Sequence, residues 1–415
     1  MRKLYTSIDI GSNSVKILVG EMYNNRLYVL ASASYPSKGV KKGLIVDHNE
    51  LISVLKKAIN NVEGKLGIKI NKVIASIPPY DVSYLEVDGY ATITNDTGKV
   101  TGDDITRALQ ACVYNKVMPN EELITIVPAE FFVDNKVGLR DPKGIVGKKL
   151  GVRAVIVKTS KKSAYSFINV LETLGLEVVD LNLGSIGEYF EYRNKDMDKE
   201  NGAIISIGDD ITNVTIFNKG IISASEIIPL GGSNIENDLI YTKKINKEDA
   251  IYIKENFAVA NRSYAITSET IEVFDKYNKE IQLNQLEISD IVMSRIIEIL
   301  KLAKKQASLL TNKENSYIII TGGLSEMPGF STLLSDVFGK QARIGNIETI
   351  GIRDNKYASL AGMIKYFHEK LNLRGIDYSM FSSEAEDDLI TPKSYSANIK
   401  ETDVLNKIIG YFFDK

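Results

Sequence analysis

The chain has 415 residues, 44% of them hydrophobic and 25% charged. That composition excludes disordered and fibrous classes, and the length calls for two or more domains. A net charge of −2 supplies no basic surface for nucleic acid.

One cysteine, Cys112, leaves no internal disulfide and suits a reducing cytosol. The start, MRKLYTSIDI, has no signal core or cleavage site. No run reaches the ~18–20 apolar residues of a spanning helix. A cytoplasmic protein is expected, touching a membrane, if at all, from its surface.

Residues 4–10 and 15–20 predict two strands about a tight turn, and 27–34 a third, an antiparallel meander. Leu51, Ile52, Leu55, Ala58, Ile59 and Val62 form the stripe of an amphipathic helix, capped by Asp47 or Asn49. Residues 72–77 form a strand that Pro78 and Pro79 stop. From 81 to 160 the rhythm changes. A polar strand ends at the turn NDTG, and Thr101 with Asp104 makes a capping box. The helix behind it buries Ile105, Ala108, Leu109, Cys112 and Val113, and strands follow near 122–127, 130–133 and 151–158. This predicts a small α+β subdomain inserted into another sheet. A helix over 163–174 and a strand over 176–181 rejoin that sheet.

From residue 201, AIISIG, NVTIF and IISASEIIPL repeat the opening meander, the mark of internal duplication. Residues 246–310 are expected to be mostly helical, ending in one long helix over 284–310. A strand over 317–321 opens into GGLSEMPG and a helix over 331–338. From 376 to 400 the chain is polar and aperiodic, which predicts a flexible linker.

The turn in SIDIGSNSVKILVG, residues 11–14, points backbone N–H groups and hydroxyls at one spot, as an anion requires. Asp9 before it suits Mg2+ held through water. Alone this is an ordinary hairpin. A second small polar turn, GDDITN at 208–213, occupies the matching place in the second half. Two such loops can clamp one polyphosphate. Gly322 and Gly323 then let backbone approach a flat ligand. Cys112 reads as core, and His48 and His368, lacking metal-site neighbours, as surface or capping residues.

In the C-terminal VLNKIIGYFFDK, Val404, Ile408 and Phe412 fall four apart, with Leu405, Ile409 and Phe413 one step round. Behind a linker this apolar face reads as an interfacial helix, the alternative being one that docks on its own domain. Lys400, Lys407 and Lys415 are matched by Glu401, Asp403 and Asp414, so attraction to anionic lipid is modest.

The order of hairpin, second hairpin and GG-x4-PG resembles the actin and heat-shock-chaperone ATPase superfamily. Within it, the insert and the tail make the chain similar to the FtsA family of bacterial cell-division proteins, over residues 3–370 and the tail. The resemblance implies an α/β, actin-like two-lobed fold of duplicated ribonuclease-H-like domains. Its parts are subdomain IA in 1–80 plus 161–195 and the inserted IC in 81–160. IIA follows in 196–240 plus 316–375, and a helical IIB in 241–315. A linker over 376–400 and a membrane-targeting amphipathic helix over 401–415 complete it.

It also implies ATP and Mg2+ as cofactors. Asp9 matches the Mg2+-associated aspartate, Gly11, Ser12, Asn13 and Ser14 the first phosphate loop, and Lys16 a lysine that reaches the phosphates. Gly208 and Asp209 fall in the second loop, followed by Gly231 and Gly232. Lys254 and Glu255 match an adenosine-contacting pair, and Gly322, Gly323 and Met327 the adenine-facing segment. The implied partners are the C-terminal peptide of FtsZ, docking on 241–315, further copies in a head-to-tail filament, and lipid through the tail. The implied location is the inner face of the membrane at the division septum.

Two departures bear on chemistry. Ser206 stands where the second loop of relatives starts with aspartate, and Asn182 where relatives carry Glu or Gln to position water. Asp209 or Asp210 are candidates to compensate. ATP binding with weak or absent hydrolysis is the expectation. DIGSNS also resembles the first loop of exopolyphosphatase-type hydrolases, an alternative that needs a catalytic Glu121 or Glu122. A pilus-assembly relative with another partner peptide is a further alternative. No GxxxxGK[ST] occurs, which excludes a P-loop.

Overall fold

The computed structural model describes residues 2–389. The second part of the expected linker, 390–400, and the expected helix 401–415 lie outside the described residues. β1 (Lys3–Ile10), β2 (Ser14–Tyr23) and β3 (Arg26–Pro36) form the opening meander. A short hairpin, β4 (Val40–Lys41) and β5 (Leu44–Ile45), leads into α1 (His48–Leu66). The Asp47 carboxylate accepts the Glu50 amide at 3.0 Å and so fixes where α1 starts. β6 (Lys72–Ile77) runs parallel to β1.

The insertion follows: β7 (Ser83–Thr92), α2 (Gly102–Val113), β8 (Glu121–Val133), β9 (Lys136–Leu139) and β10 (Lys149–Ser160). Its sheet has the order β7-β10-β8-β9, with its own apolar core around Ile105, Cys112 and Phe131. Where two short strands were expected, β8 runs unbroken through Pro128, because a register shift against β10 absorbs the missing N–H. Thr101 and Asp104 complete the capping box, each side chain meeting the other's backbone amide. Thr101→Ala is expected to cost about 1 kcal/mol, read by chemical denaturation.

α3 (Lys161–Thr173) and β11 (Glu177–Leu183) return to the first sheet, and α4 (Gly184–Tyr192) leaves it. The second half opens with β12 (Asn201–Ile207), β13 (Thr212–Asn218) and β14 (Ile221–Ile228). α5 (Gly232–Lys243), α6 (Lys247–Asn256), β15 (Thr270–Phe274), β16 (Glu280–Asn284) and α7 (Gln285–Leu310) come next. β17 (Tyr317–Thr321), α8 (Phe330–Phe338), β18 (Ala342–Ile344), α9 (Ala358–Arg374) and α10 (Ser383–Asp388) complete the order. The β15–β16 hairpin interrupts a stretch expected to be mostly helical. Its strands, TIEVF and EIQLN, alternate polar and apolar residues and set Val273 and Leu283 into the second core, but five residues each is too short a run to stand out between two helices.

The two main sheets have five strands each, ordered β11-β6-β1-β2-β3 and β18-β17-β12-β13-β14. Each is a meander extended by two parallel strands, so the duplication seen in sequence is a duplication of topology. Separate apolar cores lie behind the two sheets. α4 and α9 cross where the halves meet, and they touch backbone to backbone. A Cβ on Gly362 would lie 1.6 Å from the Gly187 carbonyl oxygen.

The expected linker does not begin at 376. Tyr5 donates to the Tyr378 carbonyl at 3.0 Å, and the Met380 amide to the Leu4 carbonyl at 3.0 Å. Met380 and Phe381 are buried on the first lobe, and the Arg2 amide donates to Glu386 at 3.2 Å. Apolar residues so sparse show no period, yet each finds a place on an existing surface. His368 is also buried rather than superficial, 3.2 Å from the Tyr5 hydroxyl, because α9 is enclosed on nearly every side.

Candidate functional site

A cleft of about 740 Å³ separates the lobes, a volume suited to a small ligand. Two hairpins face into it. In the β1–β2 turn the Gly11 amide donates to the Ser14 carbonyl at 3.1 Å, and in the β12–β13 turn Gly208 donates to Ile211 at 2.9 Å. Sheet register places Asp9 opposite Lys16 in the first frame and Ser206 opposite Asn213 in the second. One hairpin therefore presents an ion pair and its duplicate a neutral pair. Lys16 Nζ lies 2.8 Å from Asp9 Oδ2, and the Ser76 hydroxyl donates to Oδ1. Burial pushes the Asp9 carboxyl up, but Lys16 and the Ser76 bond outweigh it and hold it below its usual range.

Glu188 on α4 lines the same cleft and was not singled out in the sequence. The Ser206 hydroxyl donates to Glu188 Oε1 at 2.7 Å, while Oε2 is buried without a partner. Burial pushes this carboxyl up to about 8, with Asp9 adding to the rise and the Ser206 bond opposing it. The sequence signal was a carboxylate inside a short apolar helix, LGSIGEYF, where a solvated face would be expected to hold it.

Asn182, expected near the reacting phosphate, does not line the cleft. β11 continues to Leu183, so Asn182 is wholly buried within the sheet, its Oδ1 accepting the Leu183 amide at 3.0 Å. Asp209 and Asp210, the candidates to compensate for Ser206, line the cleft and are each engaged by other groups. Lys254 Nζ lies 3.4 Å from Asp209 and pairs more closely with buried Glu236. Burial raises the Asp209 carboxyl, with Lys254 opposing. Asp210 instead bridges the lobes, accepting the Lys42 amide at 2.8 Å and the Ser233 hydroxyl at 2.9 Å. Burial pushes Asp210 up, but these donors and Ser12 outweigh it and hold its carboxyl low.

The other expected nucleotide contacts converge on this cleft. Gly11, Ser12, Asn13, Ser14, Gly208, Gly232, Lys254, Glu255, Gly322, Gly323 and Met327 all line it. Gly231 lies just outside the wall, packed beneath the Asp209 carbonyl. Gly322 adopts φ +98°, and a Cβ there would sit 2.1 Å from the Ile207 carbonyl oxygen. Glu121 and Glu122 are elsewhere: Glu121 pairs with Lys158 at 2.6 Å, and Glu122 is buried beside Tyr165. Val404, Leu405, Ile408, Ile409, Phe412 and Phe413 lie outside the described residues. Among the described residues no helix is long and apolar enough to cross a membrane.

Two family models match the chain: "Cell division protein FtsA" over residues 203–362 and "SHS2 domain inserted in FTSA" over 81–158. The cell division protein FtsA of Bacillus subtilis is 28% identical over 90% of this chain and 85% of its own. That of Streptococcus pneumoniae is 27% identical over 87% and 79%, and that of Pseudomonas aeruginosa 25% over 91% and 94%. Among solved structures, the PilM–PilN type IV pilus biogenesis complex has TM-score 0.58 at 14% identity, over 90% of this chain and 99% of the other. MreB5 of Spiroplasma citri bound to ADP has TM-score 0.53 at 14% identity, over 89% and 98%. The expected two-lobed, actin-like α/β fold with an inserted subdomain is the fold observed.

Proposed function

Because the chain belongs to the FtsA family of bacterial cell-division proteins, we propose that it binds ATP between its lobes, assembles with further copies of itself, and ties FtsZ filaments to the membrane at the division site. The observation that carries ATP binding is the convergence of both duplicated hairpins and the GG segment on one cleft. Backbone amides of the first turn hold phosphate oxygens, and Lys16, already poised at the Asp9 carboxylate, adds charge. The Gly322 backbone and Met327 offer a flat wall to the base. Asp9 and the surrounding hydroxyls are hard oxygen donors, which fit a hydrated Mg2+. When bound, that ion neutralises phosphate charge.

Hydrolysis is slow in this reading, because Ser206 is neutral and Asn182 lies away from the cleft. A steady-state turnover reaching about one per second would overturn it. Lys16→Met is expected to weaken binding of a fluorescent ATP analogue by at least about tenfold, the worth of a charge-assisted hydrogen bond. Unchanged affinity would remove Lys16 from the phosphate site.

Membrane attachment rests on the sequence of 401–415, whose apolar face inserts while FtsZ peptide docks on 241–315. One such helix binds reversibly, and assembly strengthens it by avidity. The full chain should sediment with vesicles of mixed phosphatidylglycerol and phosphatidylethanolamine, and a chain ending at Lys400 should stay in solution. Equal sedimentation of both would sink the tether.

A further inference from the structure

Three buried oxygens in the cleft wall have no partner, two from α4 on the first lobe and one from the second hairpin: Ser185 Oγ, Glu188 Oε2 and Asn213 Oδ1. Ser185 and Glu188 are 3% and 7% exposed, so water reaches neither freely. Unpartnered buried acceptors are costly, and a set of them around one cleft calls for donors that the cleft receives from outside. Ser206 holds Glu188 by its other oxygen, at 2.7 Å, and Asn213 is the register partner of Ser206. The three oxygens are thus supplied by α4 and the second hairpin, whereas Asp9 is supplied by the first.

Among the described residues, no three His, Cys, Asp or Glu side chains gather to ligate a metal directly. A cation in this cleft therefore keeps most of its waters, and those waters are hydrogen-bond donors in search of acceptors. We propose that Glu188, with Ser185 and Asn213, is the acceptor set for the water shell of a nucleotide-bound Mg2+, with Ser206 as the positioning residue that aims the Glu188 carboxylate. The duplicated hairpins then differ in where the acid is placed. The first carries it on its strand as Asp9, steadied by the Ser76 hydroxyl. The second carries the hydroxyl on its strand as Ser206, and the acid stands on the helix behind. Glu188 does not remove a proton or attack in this arrangement; it orients water.

This inference rests on nucleotide binding in the cleft, and the experiment separates the two. The affinity of the full chain for a fluorescent ATP analogue is measured with excess Mg2+ and again with EDTA. For the natural sequence, Mg2+ is expected to tighten binding about tenfold or more, and Glu188→Gln should reduce that gain, the ratio of the two affinities, by about tenfold. Ser206→Ala, which frees the carboxylate without removing it, should lose part of the gain. A Glu188→Gln protein with the full Mg2+ gain overturns the proposal. If that variant fails to fold, an undiminished gain in Ser206→Ala overturns it instead. No binding of the analogue by the natural sequence would strike the nucleotide reading itself.

Discussion

Replacing Gly322 by alanine is expected to lower the unfolding midpoint by about 2–7 °C and to weaken ATP-analogue binding at least about tenfold. The reason is local and double. The residue holds φ +98°, which an L side chain rarely adopts, and the added methyl would sit 2.1 Å from the Ile207 carbonyl oxygen. Relief requires β17 and the end of β12 to part, and those two strands pair in parallel from Gly202–Tyr317 to Ser206–Thr321. That ladder carries Ser206 and leads directly to the Gly208 turn, so strain at one wall of the cleft moves another. Thermal denaturation checks the first part and titration checks the second. A variant as stable as the natural sequence would mean that the GG segment tolerates displacement and does not set the wall.

Glu188→Gln should make the ligand-free, metal-free protein more stable at pH 8.5, by about 2–5 kcal/mol, and nearly neutral in effect at pH 4.5. The sign follows from where the proton resides. Burial raises the folded carboxyl to about 8 from an ordinary 4.5. Below 4.5 both states hold the proton and Glu188 costs nothing. Between 4.5 and 8 the unfolded chain ionises while the folded one does not, so stability falls steadily as pH rises. Above 8 the cost is complete. Glutamine mimics the neutral acid and keeps an oxygen for the Ser206 hydroxyl, so it escapes the whole slope. Denaturant titrations of both proteins from pH 4.5 to 8.5 test this. Parallel pH profiles would show that Glu188 is solvated and ordinary.

Much of the fold was legible because local signals agreed with the tertiary answer. Asp47, Thr101 and Asp104 cap where their residue types demand, and the apolar stripe Leu51, Leu55, Ala58, Val62 faces the sheet. The repeated meander read correctly since β-branched runs about small polar turns leave few alternatives. The misses share a cause: each depends on partners distant in sequence. Asn182 was placed beyond the strand because the end of β11 was expected two residues early, and strand ends are set by pairing with β6. Glu188 left only the mark of a carboxylate in an apolar stretch, because nothing in LGSIGEYF reveals that Ser206, eighteen residues on, donates to it. The 376–389 segment read as polar chain because its anchors, Tyr378, Met380 and Phe381, are too few to make a period.

Both edges of the described chain lie at one corner of the first lobe, where the Met380 amide bonds to Leu4 and Glu386 meets the Arg2 amide. A fluorescent protein fused ahead of Arg2 would therefore emerge beside the packed segment that holds Met380 and Glu386. It would crowd the contacts of Arg2 and Leu4 with that segment, and a weakened response in such a fusion would report the bulk of the label rather than any fault in the cleft.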